Sequence, residues 1–281
     1  MYLEKKYKKS IHNFIHTFLL LLIVTLLNQL KSLFLIKKQI YIYEGVINLN
    51  IAIIFAGGVG KRMGNTEKPK QFLEISNKPI IIHTLEIFEN NENIDKIVIS
   101  CIEEWIDYLE NLIKKYNINK VDKIVPGGST GQLSIFNGIN YAAKKYPKDS
   151  IVMIHDGVRP FIDNKLINNS IESVRKNGSS IACVPTTETF LIVDEKNTIR
   201  SIPKRENSLI AKAPQCFILE DIYNIHIQAQ RDGITNSIDS CTLMNYYEKK
   251  LNIVLTDYDN IKITTPKDMA LTESIYKRRK K

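Results

Sequence analysis

Short apolar runs alternate with helical patterns from residue 50 onwards, and this alternation constrains the fold more than any other feature. Five apolar runs predict strands: Ile51–Phe55, Lys96–Cys101, Lys123–Pro126, Ser150–Ile154 and Ser180–Val184. Four segments between them with helical spacing predict helices: Pro79–Phe88, Glu103–Tyr116, Ser134–Lys145 and Ile167–Arg175. We therefore expect an α/β fold in which a mostly parallel sheet is covered by helices on both faces.

The C-terminal third of the chain follows a different pattern. The segment Thr186–Pro214 shows no helical periodicity, and Val193–Asn197 has the composition of a hairpin turn between short strands. We expect a β-arm at about 186–212 that projects from the sheet. Ile261–Thr265 predicts the last strand, and Lys267–Tyr276 predicts the last helix.

Three motif-bearing segments each follow a predicted strand directly: residues 56–64, 127–138 and 155–160. In an open parallel sheet, ligands bind beyond the carboxyl ends of the strands. The three segments are therefore expected to converge on one crevice.

The first of these segments has the composition of a phosphate-binding loop. Glycines in Gly57-Gly58-Val59-Gly60 let backbone N–H groups approach phosphates, and Arg62, Lys68 and Lys70 add positive charge. A tight turn with solvated basic residues has the same composition. The segment lacks the Gly-Lys-Ser/Thr ending of a P-loop, and Met63 replaces the third glycine of a dinucleotide-binding loop.

The charge distribution argues against a nucleic-acid groove. The formal net charge is +9, but residues 1–50 contribute +5 and the tail Lys277–Lys281 contributes another +5. The rest of the chain is therefore close to neutral, with a net charge of −1. The four cysteines show neither CxxC nor zinc-ligand spacing, which favours reduced thiols in a cytosolic protein.

Residues 1–49 form an apolar and basic N-terminal extension. An apolar run from Phe14 to Leu27 is flanked by lysines and is shorter than the roughly 20 residues of a spanning helix. No small-residue cleavage site follows it, as a signal peptide would require. Three interpretations remain open: a membrane anchor or interfacial helix, a buried helix, or a translation start assigned too far upstream.

Six ordered motifs between residue 50 and the C-terminus resemble the methylerythritol-phosphate and ribitol-phosphate cytidylyltransferase family. They are AGGxGxRM from Ala56, Pro69-Lys70-Gln71-Phe72, Gly127-Gly128 with Ser134-Ile135-x-Asn137-Gly138, His155-Asp156-Gly157-Val158-Arg159-Pro160, Ala213-Pro214-Gln215 and Asn260-Ile261-Lys262-Ile263-Thr264-Thr265-Pro266. The resemblance implies a Rossmann-like nucleotidyltransferase that transfers CMP from CTP to a polyol phosphate and releases pyrophosphate.

The same resemblance implies roles for individual residues. CTP-binding residues would be Ala56, Gly57, Gly58, Gly60, Arg62, Lys70, Ser134 and Asp156, with Ser134 near the cytosine. Arg62, Lys70 and Lys262 would be catalytic, and Arg205, Asp239 and Lys262 would hold the acceptor. Asp156 would bind Mg²⁺ as the cofactor, although a lone Asp after a strand is often only a helix cap. Arg159 is expected to organise the turn.

The sequence departs from the family pattern mainly around the expected acceptor pocket. Gly131, with Gln132 beside it, stands where the family has an arginine, and Ile238-Asp239 replaces Thr-Asp. Losing the threonine hydroxyl removes a hydrogen bond worth about 1 kcal/mol. Ribitol 5-phosphate, for surface polysaccharide, and 2-C-methyl-D-erythritol 4-phosphate, for isoprenoids, both remain possible acceptors, with ribitol 5-phosphate favoured.

Two other functions remain as alternatives. One is a sugar-1-phosphate nucleotidyltransferase, and the other is a nucleotide-binding protein that has lost catalysis. The expected partners are CTP, a small polyol phosphate and, by resemblance, a second copy of the chain in a homodimer paired through the arm. We expect a cytoplasmic enzyme, with membrane contact only if residues 1–49 belong to the mature protein.

Overall fold

The computed structural model describes residues 48–58 and 68–279. The predictions for the N-terminal extension, for Gly60 and for Arg62 lie outside these residues. Among the described residues, no helix has the length and apolar character needed to cross a membrane.

A seven-stranded sheet forms the centre of the described fold. The described residues form eleven strands, which are β1 (Asn50–Ala56), β2 (Glu74–Ile75), β3 (Lys78–Pro79), β4 (Lys96–Cys101), β5 (Val121–Pro126), β6 (Ile151–Asp156), β7 (Ser179–Pro185), β8 (Ile192–Val193), β9 (Ile199–Ser201), β10 (Leu209–Ile218) and β11 (Ile253–Leu255). Seven of them lie in this sheet, and the others form two separate pairs, β2 with β3 and β8 with β9. The large sheet has the order β11-β7-β10-β6-β1-β4-β5. Only β10 runs antiparallel to its neighbours in this sheet, so the predicted mostly parallel sheet is confirmed.

Helices cover both faces of the sheet. They are α1 (Ile80–Glu89), α2 (Ile106–Lys115), α3 (Gly131–Lys145), α4 (Asn164–Asn177), α5 (Leu219–Arg231), α6 (Ser240–Tyr246) and α7 (Pro266–Arg279). Side chains alternate along β1, so Ala52 and Ile54 pack in the cluster with α1, α2 and α4. Ile51 and Ile53 face the opposite way and pack with α3, α5 and α6. Burial on both sides explains why β1 is a continuous apolar run.

The ends of two predicted helices are determined by capping side chains. Helix α3 begins three residues earlier than predicted, because the Thr130 hydroxyl accepts a hydrogen bond from the Leu133 amide. Helix α4 is capped in the same way by Asp163, and it ends before Gly178, whose φ of 81° is a left-handed conformation that glycine adopts readily.

The predicted last strand at Ile261–Thr265 is wrong. The edge position of the sheet is filled by β11 instead, which pairs in parallel with β7. The amides of Thr264 and Thr265 donate to the Asp268 carboxylate at the start of α7, at 2.8 and 2.7 Å. These donors are therefore not available for a sheet ladder. Strands β10 and β11 and helices α5 and α6 were not predicted.

The hairpin predicted at Val193–Asn197 is confirmed. Strands β8 and β9 form a separate antiparallel pair, and Asn197 occupies the turn with a φ of 60°. Exposed apolar side chains cover this arm: Phe190, Leu191, Ile192, Val193, Ile199 and Ile202. A contiguous apolar surface of this kind is typical of an interaction site.

Candidate active site

The glycine segments after β1 and β5 approach each other closely. A Cβ atom added to Gly57 would lie 3.0 Å from the Ser134 hydroxyl oxygen, and one added to Gly128 would lie 2.6 Å from Cβ of Leu133. A larger residue is therefore excluded sterically at Gly128 and would crowd Ser134 at Gly57. The predicted convergence of these two segments is confirmed at Gly57, which lies against Ser134 and Gly127, and Ala56 and Gly58 adjoin it in sequence.

Ser134 maintains the shape of the loop between β5 and α3. Its buried hydroxyl accepts a hydrogen bond from the Gly128 amide at 2.9 Å and donates to the Thr130 carbonyl at 2.8 Å. Both interactions are within the loop itself. Its role in holding the cytosine stays a prediction.

Lys70 is brought to the end of β1 by its neighbour in sequence. Lys70 begins a short 3₁₀ turn, and the next residue, Gln71, is almost fully buried. The Gln71 side-chain amide donates to the Ala56 carbonyl at 2.7 Å. The turn that carries Lys70 is therefore fixed against the glycine segment.

Asp156 is the last residue of β6, and its carboxylate forms ion pairs with two basic side chains. One carboxylate oxygen lies 2.7 Å from the Lys262 ammonium, and the other lies 2.7 Å from Nε of Arg159. Burial alone would raise the pKa of Asp156, but the charges of Lys262 and Arg159 hold it well below its usual range. Asp156 is therefore ionised, and since Asp163 caps the following helix, Asp156 is not a helix cap.

Arg159 organises this turn, as the sequence predicts. Besides Asp156, its guanidinium donates to the Asn260 carbonyl at 2.9 Å, which ties the turn to the segment that carries Lys262. The buried His155 ring lies 3.1 Å from the Arg159 carbonyl, and burial lowers its pKa to about 4. The imidazole is therefore neutral at physiological pH.

A cavity of about 270 Å³ opens beside this ion-pair cluster. Its lining includes Asp156, Arg159, Lys262, Lys212, Ile238 and Asp239. The predicted Lys262 and Asp239 are thus brought together with Asp156. Arg205 does not line this cavity: it lies at the base of the arm, and its guanidinium donates to the Thr189 hydroxyl at 3.1 Å.

A loop at residues 234–239 closes one side of the cavity and is held by two side-chain amides. The buried Gln132 side chain donates to the Ile234 carbonyl and accepts from the Ser237 amide, both at 2.7 Å. Gln215 donates to the Asp239 carboxylate at 2.9 Å and accepts from the Cys241 amide at 2.8 Å. Each amide uses both of its ends to fix the loop.

Lys212 and the contacts of Gln132 were not predicted from the sequence. Lys212 lies next to the Ala213-Pro214-Gln215 motif, but nothing in its own pattern distinguishes it from a surface lysine. Gln132 was recognised only as the neighbour of Gly131. Its partners Ile234 and Ser237 are more than one hundred residues away in the chain, so no local pattern reveals them.

Asp156 has the chemistry of a Mg²⁺ ligand. It is ionised and borders the cavity, and each oxygen that accepts one protein donor retains another lone pair. Mg²⁺ is commonly held by one or two carboxylates together with substrate phosphates. Among the described residues there is no cluster of three or more metal-ligating side chains, so the protein would supply only part of the coordination shell.

Comparison with known proteins gives consistent results. The sequence profile of the family described as 2-C-methyl-D-erythritol 4-phosphate cytidylyltransferase matches residues 50–278. The ribitol-5-phosphate cytidylyltransferase of Vibrio parahaemolyticus is 50% identical over 227 residues, which cover 81% of this chain and 95% of that protein. The 2-C-methyl-D-erythritol 4-phosphate cytidylyltransferase of Clostridium botulinum is 41% identical over 226 residues, covering 80% and 96%.

A solved structure supports the same conclusion. The 4-diphosphocytidyl-2C-methyl-D-erythritol synthase of Anaerococcus prevotii matches with a TM-score of 0.71 at 27% identity, over 82% of this chain and 96% of that chain. The fold and the charged crevice therefore define a Rossmann-like nucleotidyltransferase.

The chain belongs to the 2-C-methyl-D-erythritol 4-phosphate cytidylyltransferase family. The predicted reaction class, CTP-dependent cytidylyl transfer to a polyol phosphate, is confirmed by this membership.

Proposed function

We propose that the chain transfers CMP from CTP to ribitol 5-phosphate and releases pyrophosphate. The observation that carries this choice is the difference in identity between the two groups of relatives. The ribitol-5-phosphate enzymes of Vibrio parahaemolyticus and Streptococcus agalactiae are 50% and 48% identical to this chain, whereas the Clostridium botulinum methylerythritol-phosphate enzyme is 41% identical. The product would be CDP-ribitol, an activated form for surface polysaccharide made in the cytoplasm.

The site has a nucleotide side and an acceptor side in this proposal. The nucleotide side consists of Ala56, Gly57, Gly58, Lys70 and residues 127–134. The acceptor side consists of Lys212, Gln215, Lys262 and the loop 234–239. Asp156 lies between them, because β6 lies between β1 and β10 in the sheet.

The reaction needs no protein nucleophile. A phosphate oxygen of the acceptor forms a bond to the α-phosphorus of CTP, and the bond from that phosphorus to the bridging oxygen breaks. The electron pair leaves with pyrophosphate. Catalysis then consists of positioning the two phosphates and stabilising negative charge, which suits Lys70 on one side and Lys262 on the other.

Mg²⁺ held by Asp156 and the substrate phosphates would neutralise part of the triphosphate charge when bound. Asp156 also orients the Lys262 ammonium through their ion pair at 2.7 Å. We propose Mg²⁺ as the cofactor on this chemistry. The removal of divalent cations with a chelator is expected to abolish turnover, and Mg²⁺ is expected to restore it.

We also propose that the chain forms a homodimer through its arm. Support comes from the exposed apolar side chains of the arm, including Leu191 and Ile202 at 51% and 58% exposure. Ile202→Asp is expected to give monomers in light scattering, whereas Leu271→Asp, at an exposed position on α7, is expected to stay dimeric. Monomeric wild-type protein would refute this proposal. In the proposed dimer, Arg205 would hold the acceptor by reaching the cavity of the second copy, because it does not line the cavity of its own chain.

The acceptor is tested by pyrophosphate release from the purified full-length chain with CTP and Mg²⁺. Ribitol 5-phosphate and 2-C-methyl-D-erythritol 4-phosphate are supplied separately. A higher kcat/KM for ribitol 5-phosphate is the expected result. A preference for the methylerythritol phosphate would overturn the proposed acceptor and retain the reaction class, and release with neither would favour a nucleotide-binding protein without catalysis.

A further inference from the structure

Lys212 is a partly buried cation on the wall of the acceptor cavity. It lies on β10 between two alanines, and it lines the cavity together with Asp156 and Lys262. Arg159 and Lys262 are both paired with the Asp156 carboxylate. Within the described part of the chain, by contrast, no hydrogen bond or ion pair joins the Lys212 ammonium to another residue.

The order of the strands determines which substrate Lys212 faces. Strand β10 pairs with β6, which ends at Asp156, and β6 pairs with β1, which ends at the glycine segment. Neighbouring strands are about 4.8 Å apart. Lys212 is therefore one strand away from Asp156 on the side opposite the nucleotide loop.

The charges in the cavity favour an anion next to Lys212. Burial lowers the pKa of Lys212, and the nearby charge of Arg159 lowers it further. The Lys212 ammonium is thus partly desolvated and lies near another positive charge, and no carboxylate among the described residues forms an ion pair with it. A phosphate monoester carries a charge of about −1.5 to −2 at neutral pH and would supply a compensating negative charge.

We propose that Lys212 binds the phosphate group of the acceptor and holds it beside the α-phosphate of CTP. This inference rests on the proposed function, because it assigns the ligand of the same cavity. The ammonium reduces the repulsion between the two phosphate groups as the new oxygen–phosphorus bond forms. Lys212 keeps its protons throughout, and the leaving electron pair goes to pyrophosphate.

The test compares Lys212→Met and Lys212→Arg in the full-length enzyme by steady-state kinetics. Lys212→Met keeps the apolar stem and removes the charge, so the KM for the acceptor is expected to rise at least about tenfold. The KM for CTP is expected to change less than about twofold. Lys212→Arg keeps the charge and is expected to retain the wild-type acceptor KM within a few-fold.

A pH profile adds a readout that a purely structural role would not change. The acceptor KM of the wild type is expected to rise at alkaline pH as Lys212 loses its proton, and Lys212→Arg should shift this rise to higher pH. The other charged or titratable groups that line the cavity are His155, Asp156, Arg159, Asp239 and Lys262. They are unchanged in both proteins, so the difference between the two profiles isolates Lys212.

Lys123→Met serves as the matched control, because Lys123 is exposed on β5 at the opposite edge of the sheet. It is expected to leave both KM values unchanged. A larger rise in the CTP KM than in the acceptor KM of Lys212→Met would overturn the proposal, as would no change in either. If the wild type prefers methylerythritol phosphate, the proposed acceptor fails, and the same KM comparison with that substrate still decides the role of Lys212.

Discussion

The nucleotide side and the acceptor side of the crevice are built in different ways. On the nucleotide side, Ala56 ends β1, Gly57 follows it directly, and Gly127 follows β5. On the acceptor side, the loop 234–239 is held by Gln132 through hydrogen bonds that span more than one hundred residues of sequence. The nucleotide side is therefore formed by short sequence motifs at strand ends, whereas the acceptor side depends on contacts between residues far apart in the chain. We expect substitutions on the nucleotide side to change the cytidylyl transfer common to the family, and substitutions on the acceptor side to change the choice of acceptor.

The largest effect is expected at Asp156, which lies between the two sides. Asp156→Asn keeps the shape of the side chain but leaves Arg159 and Lys262 without their shared carboxylate. Removing one partner of a fully buried ion pair costs about 3 kcal/mol or more, and this cluster is partly buried, with the Lys262 side chain 35% exposed, so the free energy of unfolding should fall by up to about 3 kcal/mol. Urea denaturation at neutral pH measures it, and unchanged stability would show that the cluster is not a structural link.

The pH dependence of that loss has a defined sign. The pKa of Asp156 in the folded protein is held below its unfolded value, so its stabilising contribution is fully present above the unfolded value, near pH 4. The contribution is lost as the pH falls towards the folded pKa. The stability difference between the wild type and Asp156→Asn should therefore be constant near neutrality and shrink below about pH 4.

Lys70→Ala tests the nucleotide side alone. Loss of one charge-stabilising donor is expected to lower turnover at least about a hundredfold, with a similar loss for every acceptor. Quench-flow or steady-state pyrophosphate release measures it. Lys96→Ala, at the opposite end of β4 from the crevice, is the control and should match the wild type. Wild-type turnover in Lys70→Ala would contradict the assigned triphosphate site.

Gln132→Met tests the link between the two sides. Methionine has a similar length and volume but forms neither hydrogen bond to the loop 234–239. We expect the acceptor KM to rise roughly thirtyfold, since two hydrogen bonds worth about 1 kcal/mol each are lost, while the CTP KM changes little.

Tyr141→Phe is the control for Gln132→Met, because it removes a hydrogen bond to Asp122 from the same helix α3, away from the loop. It should leave the acceptor KM unchanged. Hydrogen exchange at the Ser237 amide should become faster in Gln132→Met only, since this amide donates to the Gln132 side chain. An acceptor KM equal to that of the wild type would show that the loop keeps its position without Gln132.

The sequence predicted what depends on local pattern. The central strands, the flanking helices and the convergence at Gly57, Gly128 and Asp156 follow from apolar periodicity and from the rule for open parallel sheets. The strand predicted at Ile261–Thr265 was wrong because the Asp268 carboxylate takes two of its amide donors, which is a contact that a propensity pattern does not contain. Lys212 was missed for a related reason, since its importance arises only when β10 is placed beside β6.

The smallest effect is expected at Ile238, and it separates the two candidate acceptors. Ile238 is 91% exposed and lines the cavity, and the family pattern that the sequence resembles implies a threonine at this position. Ile238→Thr introduces a hydroxyl that can form one hydrogen bond with a polyol, worth about 1 kcal/mol, or a few-fold in kcat/KM. We expect the ratio of kcat/KM for methylerythritol phosphate to that for ribitol 5-phosphate to rise by this factor, without a change in the CTP KM. Ile238→Val, which adds no hydroxyl, should leave the ratio unchanged; equal ratios in all three proteins would mean that acceptor choice depends on deeper residues such as Lys212 and Asp239.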